Sequence, residues 1–90
     1  MTEYTFIDFK KDIIISCLES VFEYNGKEYD LSIVPGRYRL FNKRKYSPDW
    51  RLFNNTDKIE VIRCKRETIL DEIIIEGKKL EDIWSKITII

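Results

Sequence analysis

Basic and aromatic residues alternate in the middle of the chain, and their types are suited to binding a charged partner. From residue 36 to residue 66 there are ten basic and three acidic residues, whereas residues 1–35 and 67–90 carry net charges of −4 and −3. The formal net charge of zero therefore conceals a basic middle segment. The candidate binding residues are Arg37, Arg39, Lys43, Arg44, Lys45, Tyr46, Trp50 and Arg51.

Three interpretations of this segment stay open. Arginine pairs with carboxylates through two hydrogen bonds, and Tyr, Trp and Arg dominate protein interfaces, which predicts an acidic protein partner. Cations beside aromatic rings also suit single-stranded nucleic acid, which would then bind the basic strands between Arg37 and Arg66. In the third interpretation the cations only pair with the acidic residues Glu23, Glu28 and Asp30 on neighbouring strands. A sequence pI of about 6.3 favours a protein over a nucleic acid, because dedicated nucleic-acid binders are usually basic overall.

Catalytic chemistry finds little support in the sequence. There is no histidine to serve as a general base or to partner a cysteine nucleophile. Cys17 and Cys64 lie too far apart for a C-x-x-C motif, and we expect both to be reduced. Gly26, Gly36 and Gly77 are isolated and form no phosphate-binding loop. We therefore predict that the protein is not an enzyme and has no catalytic residues, no metal site and no cofactor.

The length and composition indicate one domain over residues 1–90. No run approaches the roughly 18 apolar residues of a membrane span, so we expect no membrane association. The N-terminus is acidic and polar and does not resemble a signal peptide, which predicts a cytoplasmic protein.

The elements that position the basic segment are organised around a hairpin. Asn25-Gly26 separates two stretches that alternate apolar and charged residues, the pattern of a two-residue type I′ turn. Such a turn pairs Tyr24 with Lys27 and Phe22 with Tyr29. One face of the hairpin then carries the apolar residues Phe22, Tyr24, Tyr29, Leu31 and Ile33, and the other carries the acidic residues.

Further strands are predicted after this hairpin. Pro35-Gly36 interrupts the chain, and a third strand follows over residues 37–42. Residues 42–49 form a loop with a turn at residues 47–49. A short fourth strand covers residues 50–53, and a fifth covers residues 58–64.

Helices are predicted at both ends. A capping box at Thr5 and Asp8 starts a helix over residues 5–17, with a strand over residues 13–15 as the alternative because three isoleucines adjoin there. A second capping box at Thr68 and Asp71 starts a helix that Gly77 helps to end. The closing helix presents one apolar stripe, which consists of Leu80, Ile83, Trp84 and Ile87.

Together these elements predict an α+β fold. We expect an antiparallel sheet of three to five strands, with an N-terminal helix and one or two C-terminal helices packed on one face. Residues 88–90 could add an edge strand to a second copy, so a homodimer through an edge strand is a further possibility.

Two short patterns resemble those of a known group of proteins. They are Phe22-x-Tyr24-x-Gly26-Lys27-x-Tyr29 in the hairpin and Gly77-Lys78-x-Leu80-x-Asp82-Ile83-Trp84 near the C-terminus. Both resemble small cytoplasmic proteins of low-GC Gram-positive bacteria, some of which are neighbours of secreted polymorphic toxins, where immunity proteins are encoded. The resemblance implies a fold and a possible immunity role, and it implies no catalytic residues.

From residues and resemblance together we expect a small protein-binding module. It would act stoichiometrically as a cytoplasmic inhibitor, an immunity protein or a phage-host regulatory protein. The alternative is a binder of single-stranded nucleic acid or nucleoprotein.

Overall fold

A five-stranded antiparallel sheet with helices packed against it forms the protein. The computed structural model describes residues 3–41 and 45–90, with the backbone alone described at residues 35–41 and 45–47. The elements are α1 (Phe6–Ile14), β1 (Ser20–Tyr24), β2 (Lys27–Phe41), β3 (Lys45–Asn54), β4 (Ile59–Lys65), α2 (Arg66–Glu72), β5 (Ile74–Ile75), β6 (Lys78–Lys79), α3 (Leu80–Ile83), a 3₁₀ turn (Trp84–Lys86) and β7 (Thr88–Ile89). The large sheet has the order β4-β3-β2-β1-β7, and β5 and β6 form a separate two-stranded sheet. The predicted α+β class is confirmed.

The core lies between the helices and one face of the large sheet. One cluster of buried residues joins α1, through Phe9 and Ile13, to α2 and α3 and to alternate residues of β1, β2 and β3. The strand residues of this cluster include Phe22, Tyr24, Tyr29, Leu31, Trp50 and Leu52. The opposite face of the sheet carries no helix among the described residues. None of the described helices is long and apolar enough to span a bilayer.

The hairpin prediction is confirmed in turn type and in register. Asn25 and Gly26 have φ values of 55° and 79°, and Tyr24 pairs with Lys27. Both φ values lie in the left-handed region that a type I′ turn requires. This register places the predicted apolar face on the core side and leaves Glu23 and Glu28 exposed.

Replacing Gly26 with valine is expected to lower the free energy of unfolding by about 1–3 kcal/mol, because a β-branched residue is strained at positive φ. A Cβ atom at Gly26 meets no heavy atom within 4 Å, so the cost comes from the backbone conformation and not from a clash. Gly26→Asn is the matched control, since Asn tolerates this region. Urea unfolding curves of the two variants test this. Equal midpoints would contradict the strain argument.

Strand β2 is longer than predicted. It runs through Pro35 and Gly36, where a break was expected, and its pairing with β3 shifts between Ile33 and Tyr38. Proline has no N–H to donate to a ladder, so an irregularity in pairing at this point lets the strand continue. Strand β3 likewise begins at Lys45, so the loop and turn predicted up to residue 49 are wrong for residues 45–49.

The N-terminal helix is confirmed, and its strand alternative is wrong. Thr5 and Asp8 form the predicted capping box, in which each side chain accepts from the backbone N–H of the other. The hydrogen bonds that the Asp8 carboxylate accepts from the Thr5 backbone N–H and the Thr5 hydroxyl hold the pKa of this carboxyl below its usual value. The helix ends at Ile14, earlier than predicted, and Cys17 follows with a φ of 54°.

The C-terminal third differs most from its prediction. Helix α2 begins at Arg66 with Lys65 as a cap that makes no side-chain hydrogen bond, so the capping box at Thr68 is wrong. Gly77 lies in the turn between β5 and β6, with a φ of 80°, and does not end a helix. The closing helix is α3 followed by a 3₁₀ turn, in which Leu80 and Ile83 are buried. Residues 88–89 form β7, which pairs with β1 of the same chain at the edge of the sheet.

Candidate binding surfaces: a basic arm and an open sheet face

The described ends of β2 and β3 form a two-stranded extension of the sheet. Strand β1 pairs with β2 only as far as Leu31, and β4 pairs with β3 only as far as Asp49. Beyond these points β2 and β3 pair only with each other among the described residues, from Tyr38 opposite Pro48 to Phe41 opposite Lys45. We name residues 36–48 the basic arm, because they include five basic residues and no acidic one.

Most of the predicted binding residues lie in this arm. Arg37, Arg39, Lys45 and Tyr46 are in its strands, where the structure describes the backbone but not the side chains. Lys43 and Arg44 lie outside the described residues. By register, Arg39, Phe41 and Lys45 occupy positions on one face of the arm, and Tyr38, Leu40 and Tyr46 occupy positions on the other.

Trp50 does not belong to a binding surface. Its exposed fraction is 0%, and it is the largest fully buried side chain of the core. Its indole N–H is buried without an acceptor among the described residues. The prediction failed because Trp50 and Arg51 are consecutive strand residues and therefore lie on opposite faces of the sheet. Arg51 lies on the face that the helices leave uncovered.

That uncovered face, which we name the open face, differs in charge between its two halves. The acidic half, formed by β1 and β2, carries Glu23, Glu28 and Asp30. The half formed by β3 and β4 carries three cations, Arg51, Arg63 and Lys65, and two carboxylates, Asp49 and Glu60, and we name it the basic half. Arg51 and Arg63 are directly opposite each other. Glu23 and Glu28 are also directly opposite each other. Like charges in such cross-strand pairs are destabilising.

Arg51 stands out among the cations of the open face. Its guanidinium lies over the Phe53 ring, 5.0 Å from the centroid, in a cation–π contact. Arg63 is bound by Glu60, with distances of 2.7 and 3.0 Å from two guanidinium nitrogens to Oε1. In contrast, Arg51 makes no ion pair with any described residue, and its Nε is buried without an acceptor.

The acidic hairpin does not neutralise these cations. Among the described residues, no ion pair joins Glu23, Glu28 or Asp30 to a basic residue of β3 or β4. The Glu28 carboxylate instead accepts from the Asn55 side chain at 2.8 Å. The interpretation in which the cations pair with the acidic hairpin is therefore wrong for Arg51, and it stays a prediction for the side chains of the arm.

Lys27, at the start of β2, stabilises the turn between β3 and β4. Lys27 Nζ donates to Asp57 Oδ2 at 2.7 Å, and this hydrogen bond raises the pKa of Lys27. The buried Asn54 donates to the same carboxylate and accepts from the Asp57 N–H at 2.9 Å. Lys27 is thus committed to the structure of this turn and does not add to the basic surface.

The described residues contain no group of three or more Cys, Asp or Glu that could hold a metal ion. Cys17 is exposed and accepts a hydrogen bond from the Arg66 guanidinium, while Cys64 is buried, and the two form no disulfide.

The sequence did not predict that Arg51, Phe53 and Arg63 lie together on one uncovered face of the sheet. Strand alternation places Arg51 and Phe53 together, and this was readable from the sequence. The position of Arg63 was not readable, because a register shift opposite Leu52 and Phe53 changes the alternation of β4. The chain matches no protein-family model, no curated protein and no solved structure, so the resemblance of the two short patterns gains no support from these comparisons.

Proposed function

We propose that this chain is a small protein-binding module that holds an acidic surface of a partner protein with its basic arm. It acts stoichiometrically, as a cytoplasmic inhibitor, an immunity protein or a phage-host regulatory protein, and uses no cofactor. The observation that supports the proposal is the pairing of β2 with β3 beyond the ends of β1 and β4, in two strands that contain Arg37, Arg39 and Lys45 and that no other described strand flanks there.

The acidic half of the open face favours a protein over a nucleic acid. Glu23, Glu28 and Asp30 lie on β1 and β2, and β2 continues directly into the arm. A long polyanion that followed the arm onto the sheet would meet these carboxylates and be repelled. A folded protein presents both signs of charge, so its acidic patch can bind the arm without this penalty.

Single-stranded nucleic acid remains the second candidate, because the arm also contains Tyr38, Phe41 and Tyr46. Aromatic rings next to cations give bases a surface on which to stack. This candidate differs from the first in its response to salt. Its log K falls steeply with log salt, by about 0.7 for each phosphate contacted on a single strand.

A pair of variants with equal charge tests the proposal. One replaces the arm cations Arg37, Arg39, Lys43, Arg44 and Lys45 with Gln, and the control replaces the exposed lysines Lys11, Lys58, Lys78, Lys79 and Lys86 with Gln. Both variants lose five positive charges, so a difference between them reports the arm and not the net charge.

We expect the wild type and the control variant to retain the same acidic protein from an extract of the native host, in one-to-one amounts, and the arm variant to lose it. Reconstitution of the purified pair at two ionic strengths should show salt acting mainly on the association rate. A labelled oligo-dT should not bind any of the three proteins. Micromolar, salt-sensitive oligo-dT binding by the wild type that the arm variant loses would instead establish the nucleic-acid function.

A further inference from the structure

The open face carries a charge pattern that complements itself. Its acidic half lies on β1 and β2, and its basic half lies on β3 and β4. A two-fold axis that runs parallel to the strands, above the open face and over the boundary between β2 and β3, exchanges the two halves. Such an axis places the acidic half of one copy over the basic half of another, twice in the same interface.

Two opposite charges on this face, Asp30 and Arg51, form no ion pair in the described part of the chain. Asp30 and Arg51 are both half-buried and line the same hollow of the open face, yet they make no ion pair with each other or with any other described residue. The like-charge pair Glu23–Glu28 adds a repulsion within the acidic half. A second molecule above the open face could present charges of the opposite sign to both halves.

Apolar groups accompany these charges. Val21 and Ile90 are adjacent, with the Ile90 N–H donating to the Val21 carbonyl at 2.9 Å, and they line the hollow together with Asp30 and Arg51. Phe53 lies beneath the Arg51 guanidinium. Burial of these side chains would supply the hydrophobic contribution that charge pairs alone lack.

We propose that a second copy of this chain covers the open face, in a two-fold dimer in which Asp30 of each copy pairs with Arg51 of the other. The proposal does not rest on the function proposed for the basic arm, because it uses the other surface. It also differs from dimerisation through an edge strand, since the contact joins two sheet faces and adds no strand to either sheet.

Charge-reversal variants that complement each other test this dimer. Arg51→Glu and Asp30→Arg each leave two like-charge contacts in a homodimer, so each should weaken self-association at least about tenfold. In a mixture of the two variants both contacts become attractive, and the dimer should return. Lys86→Glu and Glu72→Arg are the controls, because they make the same changes of charge at exposed positions on the 3₁₀ turn and on α2.

Sedimentation velocity over a range of concentrations, at low and at high salt, measures the oligomeric state, and circular dichroism confirms that each variant is folded. We expect a salt-sensitive dimer for the wild type and both controls, predominantly monomer for each single variant, and dimer for the equimolar mixture. A wild type that stays monomeric at concentrations on the order of 500 μM would overturn the proposal. A mixture that stays monomeric, or single variants that dimerise like the wild type, would do the same. If a reversal does not fold, Arg51→Gln and Asp30→Asn replace it, and each must weaken the dimer.

Discussion

Replacing Trp50 with alanine is expected to lower the free energy of unfolding by about 3–5 kcal/mol, close to the whole stability of a small domain. Its exposed fraction is 0%, and it packs on the covered face of β3 beside Leu52. Alanine would leave a cavity the size of an indole in the middle of the sheet, opposite Ile33 on one side and Cys64 on the other. Urea unfolding followed by circular dichroism measures the loss.

Two controls separate this effect from a general sensitivity to tryptophan removal. Trp84 is only half-buried, so Trp84→Ala should cost about 1–3 kcal/mol. Trp50→Phe should cost less than Trp50→Ala, because it fills most of the cavity and also removes an indole N–H that is buried without an acceptor in the described part of the chain. If Trp84→Ala proved the more damaging of the two alanine variants, the assignment of Trp50 to the core would be contradicted.

The two tryptophans also show which kinds of sequence pattern predict burial. Helical spacing with Leu80 and Ile83 predicted a core role for Trp84, and basic neighbours predicted a surface role for Trp50. The structure buries Trp50 completely, so its predicted surface role is wrong, whereas Trp84 is partly buried and packs against the core cluster as expected. Strand alternation decides which face Trp50 joins, and that alternation outweighs the charge of the residues next to it in sequence.

Local chemistry explains which parts of the fold were predictable. The Asn25-Gly26 turn and the Thr5–Asp8 capping box depend on hydrogen bonds and φ values within a few residues, and both are confirmed. The end of α2 and the role of Gly77 depend on which segments pair later in the chain. Here Ile74–Ile75 pairs with Lys78–Lys79 and places Gly77 in a second tight turn.

The candidate surfaces were predictable only in part, because they too depend on the pairing of strands that are distant in sequence. The excess of basic residues is a property of the sequence, whereas their separation into an arm and one half of the open face depends on where β1 and β4 stop pairing. That Arg51 forms no ion pair with a described residue is likewise consistent with the register of β2 against β3, which places Ser32 and not Asp30 opposite it. Tertiary register, and not composition, therefore determines which charges remain available.

Phe9→Ala is expected to be the second large effect, a loss of again about 3–5 kcal/mol in the free energy of unfolding, because this ring contacts both the sheet and the C-terminal 3₁₀ turn. It belongs to α1 and is almost fully buried. Its centroid lies 6.5 Å from that of Phe22 in the sheet and 5.0 Å from that of Trp84 in the C-terminal 3₁₀ turn. Loss of the ring would therefore weaken both the contact of α1 with the sheet and the support of Trp84.

Phe6→Ala is the matched control for this prediction. Phe6 lies on the same helix and also contacts Trp84, with 5.7 Å between ring centroids, but it is only partly buried. Phe6→Ala should therefore lower the free energy of unfolding clearly less than Phe9→Ala, since less apolar area returns to water and a smaller cavity forms. Urea unfolding gives the two free energies, and hydrogen exchange of the α1 amides shows whether the helix separates from the sheet before the rest unfolds. An equal loss of unfolding free energy in the two variants would mean that α1 is held mainly by the contact of Phe6 with Trp84. It would contradict the role of Phe9 in joining α1 to the sheet.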